Sequence, residues 1–377
     1  MSQTQKLKNL CLRDTHLTDI ALYNFSGSSL EMLDVSNTKI SSTAVAHIAR
    51  RNPGLKCLEA RGCRNLHQQE KTEGARFSSS CMCSELITEL GRTCILEEIA
   101  IGWGFAYSSL EVLSSAVTSL RAIAVGLGGS LGEGALKLLP TLCPLLESLI
   151  LQFQVISDCI IANIMKSQKH LQVVALCYCF GDISMSSFRF SVPNLRKLRL
   201  ERVTPWMTNN DLFTLTQNCV NIIEISLVGC MLLDAGAQQI ISFGWPGLIS
   251  LRLEDCGEVT ANGVCSLSNC IALEELLLRH NGPGICKNFI LDAASKMPML
   301  RQISLDLCDA SEGDFDIPDL YNRCFLSTVK IARCKSQKCA LSLQQVQEAR
   351  GRPVHKETLV LAWSSRHLAR TVVKERL

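Results

Sequence analysis

The sequence is poor in aromatic and charged side chains. Of its 377 residues, 5% are aromatic and 19% are charged, and the formal net charge is +3. A charge this close to neutral gives no reason to expect general attraction to nucleic acid or to a membrane surface. No uncharged apolar stretch of about 18 residues occurs, and residues 1–6 contain no apolar signal core. Neither a membrane span nor a secretory leader is therefore indicated.

Apolar residues and cysteine are abundant instead. Hydrophobic residues make up 47% of the chain, which excludes disorder as its dominant state, and 20 residues are cysteine. Without a secretory route, we expect reduced thiols in a cytoplasmic or nuclear protein. The pairs Cys81/Cys83 and Cys177/Cys179 lack the further ligands of a zinc site. We therefore expect no metal and no other cofactor.

One pattern, Leu-x-x-Leu-x-Leu with apolar substitutions, recurs thirteen times between Leu7 and Ile331. Successive units begin 23 to 27 residues apart, except for a gap of 41 residues between Leu55 and Leu96. The alternating leucines predict a short strand, and apolar residues at helical spacing predict a helix after it. One unit cannot bury both elements alone, so neighbouring units must stack. The predicted fold is α/β: a leucine-rich-repeat solenoid (horseshoe) of about 13–14 repeats, with a parallel concave sheet and convex helices.

The repeats predict one domain over residues 1–377. They extend over about 7–355, and residues 67–92, which lack a helical or strand period, are predicted to be a loop insertion. Residues 356–377 are predicted to form the last strand and a C-terminal capping helix.

Cysteine recurs at two places within the repeat. Eight residues after the first leucine stand Cys63, Cys179, Cys230, Cys256, Cys308 and Cys334. Two or three residues before the next unit stand Cys94, Cys143, Cys219, Cys270 and Cys324. Both places suit a small side chain that packs tightly and offers a weak hydrogen bond. We interpret both sets as structural, because no histidine recurs beside them.

The repeats resemble the cysteine-containing leucine-rich repeats of F-box proteins. The resemblance rests on Leu-Val-Gly-Cys at 227–230, Leu-Glu-Asp-Cys at 253–256, the segment 259–264 and the closing Cys270, and it covers about residues 7–335. The tail from Glu357 through Trp363 to Leu377 is similar to the end of plant BTB/POZ-domain proteins with F-box-like repeats.

The resemblance implies a non-catalytic, substrate-recognition part of a cullin-type E3 ubiquitin ligase. The repeats would hold a protein substrate, and an N-terminal module would hold a Skp-type adaptor or a cullin. Such a module would precede the first repeat, whereas the first strand here begins at Leu7. We therefore expect a fragment or short isoform of a longer protein. The alternative is a ligase-independent scaffold or inhibitor that binds a protein partner on its concave face.

Side chains between the leucines should face the open side of the sheet. They are charged in the second half of the chain and small or apolar in the middle units, where aromatic residues, Phe105 among them, gather near the strand ends. Such a surface suits docking of a protein segment. The alternatives are that the rings pack under loops and that the charges are merely solvated. The predicted partner-binding residues are Trp103, Tyr107, Phe153, Tyr178, Trp206, Lys197, Arg199, Arg252, Glu254 and Arg279.

Enzyme signatures are weak. The glycines between Gly126 and Gly132 follow a predicted strand, but the third stands one place late for a dinucleotide loop. The seven histidines are scattered, without an obvious nucleophile or acid beside them. We expect no catalytic residues.

Overall fold

The fold is described by a computed structural model covering 6–67, 84–106, 108–189, 191–257, 259–279, 293, 296–306, 328–332, 355–364 and 367–376. The chain divides into two compact units, Met1–Leu195 and Arg196–Leu377. Each unit is described by itself below. That residues 1–377 form one domain stays a prediction.

The first unit alternates strands and helices, with every strand parallel to the next. Its elements are β1 (Asn9–Cys11), α1 (Asp19–Tyr23), β2 (Met32–Asp34), α2 (Ser42–Arg51), β3 (Cys57–Ala60), α3 (Ser84–Thr93), β4 (Glu98–Ile101), α4 (Ser109–Val112), β5 (Ala122–Val125), α5 (Gly132–Leu142), β6 (Ser148–Gln152), α6 (Asp158–Ser167) and β7 (Val173–Cys177). Pairing keeps the pattern in register, since Leu10 lies beside Leu33 and Leu33 beside Leu58.

The second unit alternates strands and helices over residues 197–279. Its elements are β8 (Lys197–Glu201), α7 (Asn209–Asn218), β9 (Glu224–Val228), α8 (Ala237–Gly244), β10 (Ser250–Glu254), α9 (Ala261–Ser266), β11 (Glu275–Arg279), β12 (Gln302–Asp306), β13 (Thr328–Ala332), β14 (His355–Ser364) and β15 (His367–Arg376). Strands β8 to β13 pair in parallel, and β13, β14 and β15 pair antiparallel.

The predicted leucine-rich-repeat solenoid is confirmed. Within each unit, successive strands lie side by side, and the pattern leucines form the core between strands and helices: Leu33, Leu58, Leu198 and Leu227 are 0% exposed. The burial follows from the strand geometry, because alternate residues of a strand face the same side.

Two boundary predictions are wrong. The loop predicted over 67–92 contains helix α3, whose Leu86, Ile87 and Leu90 are buried at helical spacing; residues 68–83 lie outside the described residues. The capping helix predicted within 356–377 is replaced by strand β15. Its run Thr371-Val372-Val373 is β-branched, which favours a strand over a helix.

The register cysteines bond backward to the preceding repeat. The Sγ of Cys63 donates to the carbonyl of Val35 at 2.8 Å, and the Sγ of Cys256 donates to that of Leu227 at 3.3 Å. Cys179 repeats the contact with Leu151 at 3.4 Å. The structural interpretation of these three is confirmed, while Cys308, Cys324 and Cys334 lie outside the described residues.

Helix ends also link neighbouring repeats. Trp245, 1% exposed at the end of α8, donates its Nε1–H to the carbonyl of Cys219 at the end of α7, at 2.7 Å. Asn52, 0% exposed at the end of α2, donates Nδ2–H to the carbonyl of Gly27 in the preceding repeat at 3.4 Å. Each of these contacts joins buried polar groups of two adjacent repeats, so each depends on stacking.

Candidate functional site

A residue in the left-handed backbone region follows the strand in eight repeats. It stands seven positions after the first leucine: Asp14, Asn37, Gly62, Phe153, Tyr178, Arg202, Gly229 and Asp255. Glycine, asparagine and aspartate adopt this region readily, whereas it costs other residues roughly 1–2 kcal/mol. Two large aromatic residues at this position are therefore held in strained backbone.

Phe153 and Tyr178 stack on each other at that position. Their φ angles are 56° and 54°, their ring centroids lie 5.5 Å apart, and their planes differ by 14°. Despite the stacking, 42% of Phe153 and 44% of Tyr178 remain exposed. The strain therefore holds two rings at the surface instead of completing the core, which is typical of a binding site.

Val155 and Phe180 extend the pair. They form a parallel bridge in which the amide of Phe180 donates to the carbonyl of Gln154 and the amide of Ile156 donates to that of Phe180, both at 2.8 Å. Val155 and Phe180 are each 60% exposed. We name Phe153, Val155, Tyr178 and Phe180 the aromatic edge. It presents four apolar side chains just beyond the carboxyl ends of β6 and β7.

Gln154 fixes the backbone of this edge. It is 2% exposed, donates Nε2–H to the carbonyls of Gly129 at 2.8 Å and Gln152 at 2.9 Å, and accepts at Oε1 from the amide of Leu131 at 3.1 Å. The sequence interpretation missed this residue. The available signal was that glutamine stands where Cys63 and Cys179 stand in other repeats.

The open face of β4 to β7 borders the aromatic edge and carries no charged side chain except Glu98. Its other members are Ala100, Gly102, Ala122, Ala124, Gly126, Ser148, Ile150, Gln152, Val173, Ala175 and Cys177. Among them Ser148, Ile150 and Val173 are half-buried, and Ala175 is 0% exposed. We name this surface the apolar floor. Short side chains keep it shallow, so a partner segment can approach closely.

The remaining aromatic residues of the prediction are placed differently. Trp103 is half-buried and lies against Gly128, where an added Cβ would meet its ring at 2.2 Å. Phe105 is 1% exposed and belongs to the core, so its expected place on the rim is wrong. Tyr107 lies outside the described residues, and Trp206, between β8 and α7, is half-buried.

In the second unit, the predicted charged residues form one ion-pair network on the open face of β8 to β11. Arg199 contacts Glu201 at 2.6 Å, Arg252 contacts Glu201 at 3.3 Å and Glu254 at 2.6 Å, and Arg279 contacts Glu254 at 3.5 Å. Lys197 pairs separately with Glu224 at 2.6 Å.

The network joins three arginines to two glutamates. Glu201, which bridges two arginines, is 7% exposed and was not among the predicted binding residues. Arg279 is also 7% exposed. A buried ion pair adds little net stability, but removing one of its partners destabilises the protein strongly because the other charge is left unpaired. That these charged residues and the aromatic residues bind a partner stays a prediction.

A second charged group, on the open face of β1 to β3, was missed. Arg13 contacts Asp34 at 2.8 Å and also pairs with Glu59, which Arg61 contacts at 2.8 Å. These residues occupy the same repeat positions as Arg199 and Glu201, so the repeat register was the available signal. The apolar floor of the first unit thus follows a charged region on the same sheet.

The buried thiols are poor nucleophiles. Burial raises the pKa of Cys143 and Cys219 to about 12 and that of Cys270 to about 11. Within the described ranges, no cluster of His, Cys, Asp and Glu could hold a metal ion. Over the same ranges, no helix has the length and apolarity needed to cross a membrane.

Thiol alkylation should therefore separate the cysteines. At pH 8 we expect the exposed Cys11, Cys159 and Cys265 to react at least about a hundredfold faster than Cys143 and Cys219, because burial lowers both access and thiolate fraction. Residue-resolved mass spectrometry after timed labelling measures this, with urea-unfolded protein as the control. Native-state labelling of Cys219 at the rate of Cys159 would contradict the assigned burial.

Comparison with known proteins places this geometry in context. The chain is 55% identical, over 381 residues and its whole length, to the BTB/POZ domain-containing protein FBL11 of Arabidopsis thaliana. It is a close homologue of that plant protein. The chain spans 40% of its relative's length. No family model matches the sequence.

A solved structure shares the fold. The yeast complex of Rad7 and Elc1 contains a chain that superposes with a TM-score of 0.54 at 18% identity, covering 78% of this chain and 81% of that one. At that identity the similarity bears on the fold alone. The expected similarity to a plant BTB/POZ-domain protein is confirmed by the homologue.

Proposed function

We propose that this chain is the substrate-recognition part of a cullin-type E3 ubiquitin ligase that acts in ubiquitin-dependent protein degradation. The aromatic edge and apolar floor hold a segment of the protein substrate. The chain is a non-catalytic recognition subunit and works in the cytoplasm, the nucleus or both.

The aromatic edge carries this proposal. Phe153 and Tyr178 occupy a backbone region that asparagine, aspartate or glycine fills in five other repeats, yet their rings stay more than 40% exposed. An exposed ring adds little to the stability of the free protein, so its own packing does not offset the backbone strain. Burial of the ring against a bound partner would offset it. Large aromatic residues are also the residues that most often dominate protein–protein binding.

The ligase assignment is supported by the homologue. That protein is named for its BTB/POZ domain, and this chain spans 40% of its length. By the resemblance of the repeats to those of F-box proteins, a Skp-type adaptor or a cullin would bind through an N-terminal module separate from the repeats. The repeats then supply substrate recognition only.

Affinity purification tests both parts. The tagged full-length gene product, cross-linked in cells, should bring down a Skp-type adaptor or a cullin together with a substrate that becomes ubiquitinated. We expect the double variant Phe153→Asn/Tyr178→Asn to keep the adaptor or cullin and to lose the substrate.

Two results would count against the proposal in different ways. A stable protein partner without adaptor or cullin would replace the ligase assignment by a ligase-independent scaffold or inhibitor. Retention of the substrate by the double variant would instead show that binding lies away from the aromatic edge.

A further inference from the structure

The outer edge of β1 has main-chain groups directed away from β2. Met32 donates its amide to Lys8 at 3.0 Å, and Asp34 accepts from the amide of Leu12 at 2.7 Å, so Met32 and Asp34 face β1. Asn9 and Cys11 pair with them in register. Because alternate residues of a parallel strand bond to opposite sides, Asn9 and Cys11 direct their N–H and C=O groups to the other side of β1.

The core side chains of this first repeat are also incompletely covered. Leu7, Leu10 and Leu12 are half-buried, whereas their counterparts Leu30, Leu33 and Val35 are 0% exposed. Leu17 is 38% exposed, while Ile40, at the same place in the next repeat, is 0% exposed. Ile20 of α1 is 68% exposed. The strand edge and the helix are therefore open on the same side.

We infer that this side of β1 and α1 is a docking surface for a further leucine-rich repeat, whose strand adds in parallel to β1. The register defines the bonds. The amides of Glu31 and Met32 both donate to the carbonyl of Lys8, so those of Lys8 and Asn9 match the carbonyl of the second residue of the incoming unit. The carbonyl of Cys11 matches an incoming amide, as that of Asp34 does for Leu12.

Charge complementarity identifies the incoming residue beside Lys8. In the first six repeats, the second residues alternate in sign and pair: Lys8 with Glu31 at 2.6 Å, Lys56 with Glu97 at 3.0 Å, and Arg121 with Glu147. Lys8 stands at the same position, and its side chain is 68% exposed. The incoming repeat therefore has an acidic second residue that pairs with Lys8 from the other side.

A repeat fits this surface better than a second copy of the chain. Two copies related by a two-fold axis would join their β1 edges antiparallel, whereas every pairing among β1 to β7 is parallel. In the plant homologue the matched part is 40% of the protein, so polypeptide able to supply another repeat exists there. The inference does not depend on the ligase assignment.

Hydrogen exchange on the full-length gene product tests this surface. We expect the Cys11 amide to exchange within about tenfold of the rate of Asp34, since both would be bonded to a preceding strand. The variant Asn9→Pro removes an amide that is directed to the outer edge and makes no bond to β2, so it should speed exchange at Cys11 at least about tenfold while leaving Asp34 unchanged.

A charge-reversal variant provides a second measurement that does not alter the backbone. Lys8→Glu should also speed exchange at Cys11, whereas Lys39→Glu, an exposed change outside the strands, should not. Unprotected Cys11 in the wild-type full-length protein would overturn the inference. Protection that appears only as concentration rises, together with a dimer in light scattering, would overturn it in favour of a second copy.

Discussion

Replacing Phe153 and Tyr178 by asparagine should abolish partner capture without unfolding the protein. Each exposed ring lost from a binding hot spot costs about 2 kcal/mol or more, roughly a 30-fold loss of affinity. Asparagine relieves the left-handed backbone, worth about 1 kcal/mol per residue, and this offsets the lost stacking of about 0.5–1.5 kcal/mol. Binding and stability should therefore separate.

Quantitative mass spectrometry of the captured partner measures the loss, and urea unfolding measures stability. Tyr178→Ala is the matched variant for Tyr178→Asn, and the two should lose the same amount of binding affinity. Tyr178→Ala should be about 1 kcal/mol less stable than Tyr178→Asn, because alanine does not relieve a φ of 54°. Phe243→Asn, on the helix side of the second unit, removes a ring that is 68% exposed and should leave capture unchanged. Equal capture by Tyr178→Asn and wild type would exclude the aromatic edge as the binding site.

Replacing Trp245 by alanine should cost the second unit about 3–5 kcal/mol. The ring is 1% exposed, so truncation leaves a cavity, and the carbonyl of Cys219 loses its donor. Trp245→Phe keeps most of the packing and should cost about 1–2 kcal/mol, mainly from the unsatisfied carbonyl. The difference between the two variants separates the ring from its hydrogen bond.

Urea unfolding combined with hydrogen exchange of the segments around α7 and α8 measures this effect. Exchange should rise first in those two repeats, because each repeat contacts only its neighbours. Phe213→Ala, which removes a 54% exposed ring from α7, should change stability by less than about 0.5 kcal/mol. A Trp245→Ala protein as stable as Phe213→Ala would show that Trp245 does not join the repeats.

The sequence predicts the strands well because burial repeats along it. Leu149 and Leu151 lie in β6, as their alternation indicates. The ninth position of the repeat suits cysteine because a small side chain there can bond to the previous repeat, as Cys179 does to the carbonyl of Leu151. Local periodicity decides these features, so no long-range information is needed.

The candidate site is less predictable, since it depends on the backbone conformation of single residues and on strand register. Phe105 and Phe153 both follow a strand, but only Phe153 itself takes the left-handed conformation, and Phe105 turns inward. Likewise, the charges of β8 and β10 are visible in the sequence, but the contact of Arg252 with Glu201, 51 residues away, requires the strand pairing. Composition and spacing cannot distinguish these outcomes.

The backward bonds between repeats have a mechanical consequence. In the first unit, each strand is hydrogen-bonded only to its immediate neighbours, and Cys63 joins only the second and third repeats. A pulling force applied to the first repeat should therefore break these bonds one interface between repeats at a time. Force spectroscopy should therefore record a low sawtooth, in which each step releases one repeat of 23 to 27 residues, or 41 for the repeat that begins at Leu55. A repeat of ordinary length corresponds to roughly 80 Å of extended chain.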